Sequence, residues 1–327
     1  MKGELNVIDM FCGAGGLSCG FQKAGFKILL GIDHNARAID TFVANHKGSQ
    51  VLCGDITKMS SAEIVNKIQN NSVDVIIGGP PCQGFSMAGK RQPNDPRNSL
   101  FMEYLRVVRD LKPKVFVMEN VKGLLSMKNE KGIKVIDIIL DEFYKLKDYE
   151  VNLYKVNAAD YGVPQRRQRI FIIGVKKGLP FLFPNPTHSK YGDNRLKKWI
   201  GLRKVILNKS EVPEKYFYSK KLINGFKRRE IINKKRGVGF GWQINSNLDM
   251  PSYTLSARYW KDGAESLIKY NEKEIRMLTP EECAVIQSFP KNYLFKGNER
   301  ERYTQIGNAV PPQLALNIAE AIKKHVK

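Results

Sequence analysis

The residues that decide the fold are Leu5-Asn6-Val7-Ile8-Asp9-Met10-Phe11, followed by Gly13-Ala14-Gly15-Gly16-Leu17. The first group predicts a strand, and the second predicts a glycine turn and a helix that ends near Ala24, before Gly25. A strand, a glycine turn and a helix in this order open the nucleotide-binding half of a doubly wound α/β sheet. Ser18 stands where a dinucleotide fingerprint has its third glycine. The turn therefore predicts a nucleotide-like ligand but disfavours a nicotinamide cofactor.

Carboxylates end the next two predicted strands. The strand from Lys27 to Ile32 leads to Asp33, and a short strand at Val51 and Leu52 leads to Asp55. An acidic residue about twenty positions after the glycine turn suits ribose hydroxyls, and Asp55 could accept a hydrogen bond from an adenine amino group. Two carboxylates at neighbouring strand ends fit a nucleoside better than a phosphate. Either aspartate alone could equally be the N-cap of a helix.

A cysteine and a glutamate follow two further strands. The strand at residues 73–77 runs into Gly78-Gly79-Pro80-Pro81 and then Cys82, and the strand at residues 114–118 ends at Glu119. Ligands of open α/β sheets bind beyond the carboxyl ends of the strands, where a thiol can act as a nucleophile. A cysteine in a tight turn with no catalytic role is the alternative. If the two strands are neighbours, Cys82 and Glu119 can form one site.

Two basic stretches follow. Residues 87–97 are polar and rich in glycine and proline, and they predict a mobile loop that can close over a site. Gln165, Arg167 and Arg169 alternate before and into the strand at residues 170–175, which places them on one face. A solvated edge strand with basic side chains is the alternative for these three residues.

The charge of the chain predicts a polyanionic partner. The net charge is +22, and residues 190–236 hold 16 lysines and arginines against 4 acidic residues. Aromatic residues are interleaved with these cations, so we expect a small separate domain that contacts phosphates. A merely basic insert is the alternative.

Other whole-chain features narrow the classes of protein. No apolar run is long enough for a membrane span, and no signal-peptide core follows Met1. The five cysteines show no C-x-x-C spacing, so we expect neither a zinc site nor a disulfide framework, and we expect a reducing cytoplasm. Thr279-Pro280-Glu281-Glu282 predicts the start of a helix with a capping box, and Cys283 after it is expected to be buried.

Six short motifs, taken together and in this order, resemble those of the cytosine-C5 DNA methyltransferases. They are Phe11-x-Gly13-x-Gly15-Gly16, Pro80-Pro81-Cys82-Gln83, Glu119-Asn120-Val121, Gln165-x-Arg167-x-Arg169, Thr279-x-x-Glu282-Cys283-Ala284 and Gly307-Asn308-Ala309-Val310-Pro311-Pro312. Each motif alone is weak. The resemblance covers nearly the whole chain apart from a variable region of about residues 185–245.

The resemblance implies a Rossmann-like, mostly parallel sheet that binds S-adenosylmethionine, with a smaller target-recognition domain. Residues 1–184 and 305–327 would form the catalytic domain, residues 185–275 the target-recognition domain, and residues 276–304 a hinge. Cys82 would attack C6 of a cytosine that has been flipped out of duplex DNA, while Glu119 holds and protonates N3. Arg167, with Arg169 as a second candidate, would steady the activated ring. No metal is implied.

The resemblance also assigns cofactor-binding residues. The predicted set is Phe11, Gly13, Gly15, Gly16, Leu17, Asp33, His34, Asp55, Ile56, Pro80, Leu100, Asn308 and Ala309. The sequence departs from the common family pattern at three positions. Asp33 replaces a frequent glutamate, His34 stands where an adenine-stacking apolar or aromatic residue is common, and Val285 stands where arginine is common.

Double-stranded DNA is the partner that the resemblance implies. The predicted DNA-binding residues are Gln83, Ser86, Lys90, Arg97, Gln243, Thr254 and Arg258. Arginine suits guanine and glutamine suits adenine in the major groove, although no recognition sequence follows from this. We expect a monomer that works in the cytoplasm, on the nucleoid, beside a separately acting restriction endonuclease.

Two alternatives share the motifs. A transfer-RNA cytosine methyltransferase would use the same chemistry, but the long basic region before Thr279 suits a DNA reader better. A catalytically inactive DNA-binding relative would lack the cysteine or the glutamate, and both Cys82 and Glu119 are present.

Overall fold

The computed structural model of the protein describes residues 4–81, 100–129, 131–237, 239 and 241–326. The first elements are β1 (Asn6–Met10), α1 (Gly16–Lys23), β2 (Lys27–Asp33), α2 (Ala36–Asn45), β3 (Gln50–Cys53), α3 (Ser61–Lys67), β4 (Val75–Gly78), α4 (Leu100–Leu111), β5 (Val115–Val121), α5 (Val135–Tyr144), β6 (Tyr149–Asn157) and β7 (Gln168–Lys176). The later elements are β8 (His188–Ser189), β9 (Lys197–Lys198), α6 (Lys220–Arg236), β10 (Ile268–Lys269), β11 (Ile275–Arg276), α7 (Pro280–Ile286), α8 (Glu299–Asn308) and α9 (Pro312–Val326).

Seven strands form one sheet in the order β3-β2-β1-β4-β5-β7-β6. The neighbours from β3 to β5 are parallel, whereas β7 runs antiparallel to β5. The expected doubly wound, mostly parallel α/β sheet is therefore confirmed. The central strands are apolar and β-branched because helices cover parallel sheets on both faces, and all four residues of β4 are buried.

Contacts within the chain define two compact units. The first unit comprises residues 1–156, 168–185 and 315–327, and the second comprises residues 157–167 and 186–314. The first unit contains the sheet. Its core includes a stack of Phe116 on Phe143, with ring centroids 5.0 Å apart, and the hydroxyl of buried Tyr104 donates to Ile76 O.

The second unit has its own apolar core. Leu278, Ile286 and Ile306 are buried in one cluster with Leu202 and Leu255. The unit thus includes residues 276–304, expected as a hinge, and residues 305–314. The domain boundaries expected from the sequence stay a prediction.

Local signals at two helices explain where those helices begin. Thr279 Oγ1 accepts from Glu282 N, and a Glu282 carboxylate oxygen accepts from Thr279 N, so the predicted capping box is confirmed. Cys283 is buried, as expected. Helix α6 begins after Ser219, whose hydroxyl accepts from Leu222 N.

Two absences apply to the described ranges only. Within them, no helix is long and apolar enough to cross a membrane. The same ranges contain no group of three or more His, Cys, Asp or Glu side chains that could hold a metal ion.

Gly174 of β7 provides a test of the packing between β5 and β7. A Cβ atom at Gly174 would lie 2.1 Å from the ring of Phe116, which is fixed in the buried aromatic stack. We expect Gly174→Ala to lower the free energy of unfolding by about 1–3 kcal/mol, as overpacking of a core does. Gly123→Ala is the matched control, because a Cβ there meets no atom within 4 Å. Equal urea midpoints for the two variants would contradict this packing.

Candidate active site

The carboxyl ends of β4 and β5 lie side by side, which brings Glu119 next to the Gly79-Pro80 turn. Gly78 pairs with Met118, and a Cβ atom added at Gly79 would lie 3.1 Å from Glu119 Oε2. Asn120 Nδ2 donates to Pro80 O at 3.1 Å, so β5 also holds the turn in place. The predicted adjacency of these two strands is confirmed. Cys82 follows Pro80 by two residues and lies outside the described residues.

Glu119 forms a largely buried ion pair with Arg169. The Nε atom of Arg169 lies 2.8 Å from Glu119 Oε1, and the two side chains are only 12% and 11% exposed. Arg169 stands opposite Val121 in the antiparallel register of β5 and β7. Burial lowers the pKa of Arg169, while the Glu119 carboxylate opposes that shift. The pair therefore orients a carboxyl group at the sheet edge with an arginine beside it.

Arg167, the other predicted catalytic arginine, is buried in the second unit. Its two Nη atoms donate to Leu255 O at 2.8 Å and to Gly307 O at 2.7 Å. Gln165 is also fully buried, and its Oε1 accepts from Leu255 N at 3.2 Å. These contacts are to the main chain. The ring-stabilising role assigned to Arg167 stays a prediction.

The glycine turn after β1 has the backbone shape that a close ligand requires. Gly13 and Gly15 have φ angles of 52° and 83°, and the non-glycine Phe11 has a φ of 57°. Left-handed backbone at a non-glycine residue is strained, and such strain concentrates at functional sites. A Cβ atom at Gly13 would meet nothing within 4 Å, so the space above the turn is open. The turn therefore leaves room for a ligand close to its backbone.

Asp33 supports the turn from the end of β2. Its Oδ2 accepts from Gly13 N at 2.9 Å, and its Oδ1 accepts from Asn35 N at 2.8 Å. Asn35, and not Asp33, is the N-cap of α2. His34 Nδ1 lies 3.4 Å from Asp33 Oδ1, and the His34 side chain is 78% exposed. Asp33 therefore stands beside the open space with its carboxylate already oriented.

Asp55 behaves differently from Asp33, although both follow strands. Asp55 is exposed, and its Oδ1 accepts from Thr57 N and Thr57 Oγ1. It is the N-cap of the 3-10 turn Ile56–Lys58, and the hydrogen bonds to Thr57 lower its pKa. The capping role weighed for the aspartates thus applies to Asp55, which leaves Oδ2 for a ligand.

The remaining predicted residues occupy varied positions. Gly16, Leu17, Ile56 and Pro80 are buried, Leu100 packs against the core of the first unit, and Asn308 and Ala309 follow one another at the end of α8 in the second unit. Thr254 Oγ1 donates to Arg166 O, Gln243 is half-buried, and Arg258 is exposed. Gln83, Ser86, Lys90 and Arg97 lie outside the described ranges.

Asp9 lies beneath the glycine turn and was missed from the sequence. It is fully buried in β1, and its Oδ2 accepts from Ser18 Oγ at 2.6 Å. Burial raises the pKa of Asp9 to about 7, against the lowering effect of the Ser18 hydrogen bond. The only available signal was an acidic residue inside an apolar strand, followed by a serine on the next helix.

A doubly wound sheet with a glycine turn, an oriented aspartate and an oriented glutamate at its carboxyl edge is typical of enzymes that act with a nucleoside cofactor. The family described as C-5 cytosine-specific DNA methylase matches residues 5–324 of this chain. The chain therefore belongs to that family: it is a DNA cytosine-5 methyltransferase that uses S-adenosylmethionine. The resemblance found from the motifs is confirmed.

Known proteins support the assignment along the whole chain. Type II methyltransferase M1.HphI of Haemophilus parahaemolyticus is 40% identical in an alignment of 338 positions that covers 98% of this chain and 87% of that protein. Type II methyltransferase M1.ScrFI of Lactococcus lactis is 36% identical over 97% of this chain and 77% of its own length. A mutant of Spodoptera frugiperda DNMT2 shares the fold, with a TM-score of 0.73 and 21% identity over 98% of this chain and 99% of that one.

Asp9 generates a prediction about pH. The folded protein keeps the Asp9 proton up to about pH 7, whereas an unperturbed aspartate releases it near 3.8. Unfolding between these pH values releases a proton, so the free energy of unfolding should fall as the pH rises from 4 to 7. This decrease is as much as about 4 kcal/mol. Asp9→Asn should remove it.

Urea unfolding of wild type and Asp9→Asn at several pH values measures the effect. The difference in unfolding free energy, variant minus wild type, should grow in favour of the variant from pH 4 to 7 and then level off. Curves that stay parallel across that range would show that Asp9 does not titrate there.

Proposed function

We propose that this enzyme methylates one cytosine of a short duplex sequence through a covalent bond between Cys82 Sγ and cytosine C6. The observation that carries the proposal is the Glu119–Arg169 pair beside the Gly79-Pro80 turn. Cys82 follows Pro80 by two residues in the sequence, and the Gly79-Pro80 turn and Glu119 lie at the ends of adjacent strands. This sequence position, together with the oriented carboxyl group, supports a reaction that uses both residues.

Cys82 and Glu119 have the side chains that methylation of cytosine at C5 requires. Cytosine is a poor electrophile, so attack at C6 requires a soft nucleophile together with a proton at N3. The Cys82 thiolate forms the Sγ–C6 bond while the Glu119 carboxyl group gives a proton to N3. Arg169 keeps Glu119 turned towards the base and adds positive charge beside the ring. Loss of the C5 proton after methylation then breaks the Sγ–C6 bond and returns the thiolate.

The proposed cofactor-binding residues make different contacts. S-adenosylmethionine supplies an electrophilic methyl group when it is bound. Gly13 leaves space for it, and Gly15 takes the left-handed backbone of the turn. Asp33 offers a carboxylate to the ribose hydroxyls, and Asp55 has one oxygen left for the adenine amino group. Asn308 and Ala309 stay proposed cofactor contacts.

Helix α6 is the proposed phosphate-contacting element of the second unit. Ile223 and Phe226 bury one face of the helix in an apolar cluster. Lys227 and Arg229 pair with Glu272 and Asp262. Among the described residues, the other lysines and arginines of α6 are exposed and have no ion-pair partner: Lys220, Lys221, Arg228, Lys234, Lys235 and Arg236. This density of unpaired positive charge suits a DNA backbone.

A restriction-modification role is the proposed biological context. The two bacterial relatives named above are Type II methyltransferases. We propose that this chain protects host DNA as a monomer in the cytoplasm, with a cognate endonuclease that acts separately on the same sequence.

Bisulfite sequencing of plasmid DNA from cells that express the chain tests the activity and the specificity together. Protected cytosines confined to one short sequence are expected. Protection of cytosines in every sequence context would overturn the proposed sequence specificity. Complete conversion of the plasmid, with protected cytosines in transfer RNA, would replace the DNA substrate with RNA.

Substitutions at the two proposed catalytic residues should have different kinetic effects. Cys82→Ala should abolish methyl transfer and retain cofactor binding, because it removes only the nucleophile. Glu119→Gln cannot donate the carboxyl proton but keeps the side-chain size, so we expect kcat to fall by about 10²–10⁴-fold. Assays with tritiated cofactor measure the rate of methyl transfer by both variants. Turnover by Cys82→Ala would sink the assignment of the nucleophile.

Helix α6 generates a prediction about salt. The double variant Lys234→Gln, Lys235→Gln should weaken DNA binding and reduce the slope of log K against log salt concentration by about 0.9 for each phosphate that the helix no longer neutralises. The matched control is Lys227→Gln, Lys269→Gln, since both of those lysines already pair with Glu272. Equal slopes for the two double variants would remove α6 from the DNA interface.

A further inference from the structure

Three buried side chains of the second unit, Gln165, Arg167 and Gln287, form a connected group that we call the clamp. Gln165 Nε2 donates to Gln287 Oε1 at 2.7 Å, and both side chains are fully buried. Arg167 belongs to the same group because it and Gln165 both bond to the main chain of Leu255. The clamp therefore joins residues that are more than a hundred positions apart in the sequence.

One side of the clamp holds the segment 252–258, which we call the reading segment. Gln165 accepts from Leu255 N, and Arg167 donates to Leu255 O, so the peptide groups on both sides of this residue are fixed. The segment contains Thr254 and Arg258, two of the predicted DNA contacts. Thr254 Oγ1 is itself bonded to Arg166 O, so the exposed Arg258 extends from a backbone that the clamp holds.

The other side of the clamp holds residues 306–309, the last residues of α8 and its C-cap, which we call the 306–309 turn. Arg167 donates to Gly307 O at 2.7 Å, and Gln287 Nε2 donates to Ile306 O at 2.8 Å and Ala309 O at 3.0 Å. These bonds surround Asn308, which is exposed and is a predicted cofactor contact. Buried side-chain donors that end on main-chain carbonyls fix backbone positions, since leaving such carbonyls unpaired is costly.

The two segments also touch directly. A Cβ atom at Gly307 would lie 2.2 Å from Ser256 O, so only glycine lets the two backbones approach this closely. The reading segment and the 306–309 turn are thus packed against each other. Arg167 bonds to both segments, while Gln165 bonds to the first, Gln287 bonds to the second, and these two glutamines bond to each other. A displacement of either segment has to move or break the clamp.

We propose that Gln165, Arg167 and Gln287 are positioning residues that couple cofactor binding to DNA binding, by holding the reading segment and the 306–309 turn as one body. The inference rests on the proposed function, because it uses the DNA role of Arg258 and the cofactor role of Asn308. In it, Arg167 acts through the backbone of the second unit and not on the cytosine ring. Ordering of either segment by its ligand then prepares the other segment for the second ligand.

The coupling is measurable as a ratio of dissociation constants. Calorimetry would give the dissociation constant of S-adenosylhomocysteine, the unreactive product, with and without a duplex that carries the sequence mapped by bisulfite. The duplex would also be titrated with and without S-adenosylhomocysteine, and linkage requires the two ratios to agree. The ratio is the dissociation constant of one ligand without the other ligand, divided by its dissociation constant with the other ligand present. We expect this ratio to be about 5 or more for the wild type, within the usual range of coupling.

Clamp variants should reduce the ratio more than they reduce either affinity alone. Gln165→Met keeps the side-chain length and removes both of its bonds, and Gln287→Glu keeps the size but removes the donors to Ile306 and Ala309. Arg167→Lys retains the charge with one donor group and should keep part of the ratio. Tyr303→Phe is the matched control, since it removes a buried hydrogen bond in the same unit whose acceptor, Leu278 O, lies outside both segments.

The possible outcomes test the coupling role of the clamp separately from the proposed function. A ratio below about 2 in folded Gln165→Met or Gln287→Glu, with Tyr303→Phe at the wild-type ratio, supports the clamp. A wild-type ratio near 1, or folded clamp variants that retain the wild-type ratio, overturns it while methylation stands. A wild type that neither binds nor methylates DNA overturns the proposed function and the clamp with it.

Discussion

The antiparallel direction of β7 is the constraint on which the catalytic arrangement depends. A parallel neighbour of β5 would end at the carboxyl edge of the sheet, whereas β7 begins there. Arg169, the second residue of β7, therefore meets Glu119 near the end of β5 at 2.8 Å. Reversal of one strand places an arginine and a glutamate together at the edge where doubly wound sheets bind their ligands. The antiparallel pair also requires Gly174, because the ring of Phe116 occupies the space of its side chain.

The two arginines of one motif have different structural roles. Arg169 pairs with a carboxylate in the first unit, while Arg167, two residues earlier, bonds to main-chain carbonyls of the second unit. The division between the units falls between these residues, after Arg167. In our proposals, Arg169 takes part in the chemistry, whereas Gln165 and Arg167 hold the reading segment in place.

Local patterns made much of this fold predictable. The strands, the glycine turn and the capping box at Thr279 follow from residues close together in sequence, and so does the position of Glu119 at the end of β5. Features set by distant contacts were not predictable in the same way. Asp33 ends β2 and Asp55 follows β3, and each accepts a hydrogen bond from the main-chain N–H two residues on. Only Asp55 is an N-cap, because Asn35 takes that place before α2. The packing of residues 276–304 was not predictable either, because partners such as Leu202 and Leu255 lie far away in the sequence.

The central claim is that Cys82 bonds to cytosine C6 while Glu119 assists. The most direct measurement is the mass of the complex formed with cofactor and a duplex whose target cytosine carries fluorine at C5. Fluorine cannot leave as a cation, so methylation should leave the enzyme joined to the DNA. We predict a stable adduct that carries one methyl group and maps to the peptide containing Cys82, with none for Cys82→Ala. An adduct on another residue, or methylation of the ordinary duplex without any adduct on the fluorinated one, would contradict the claim.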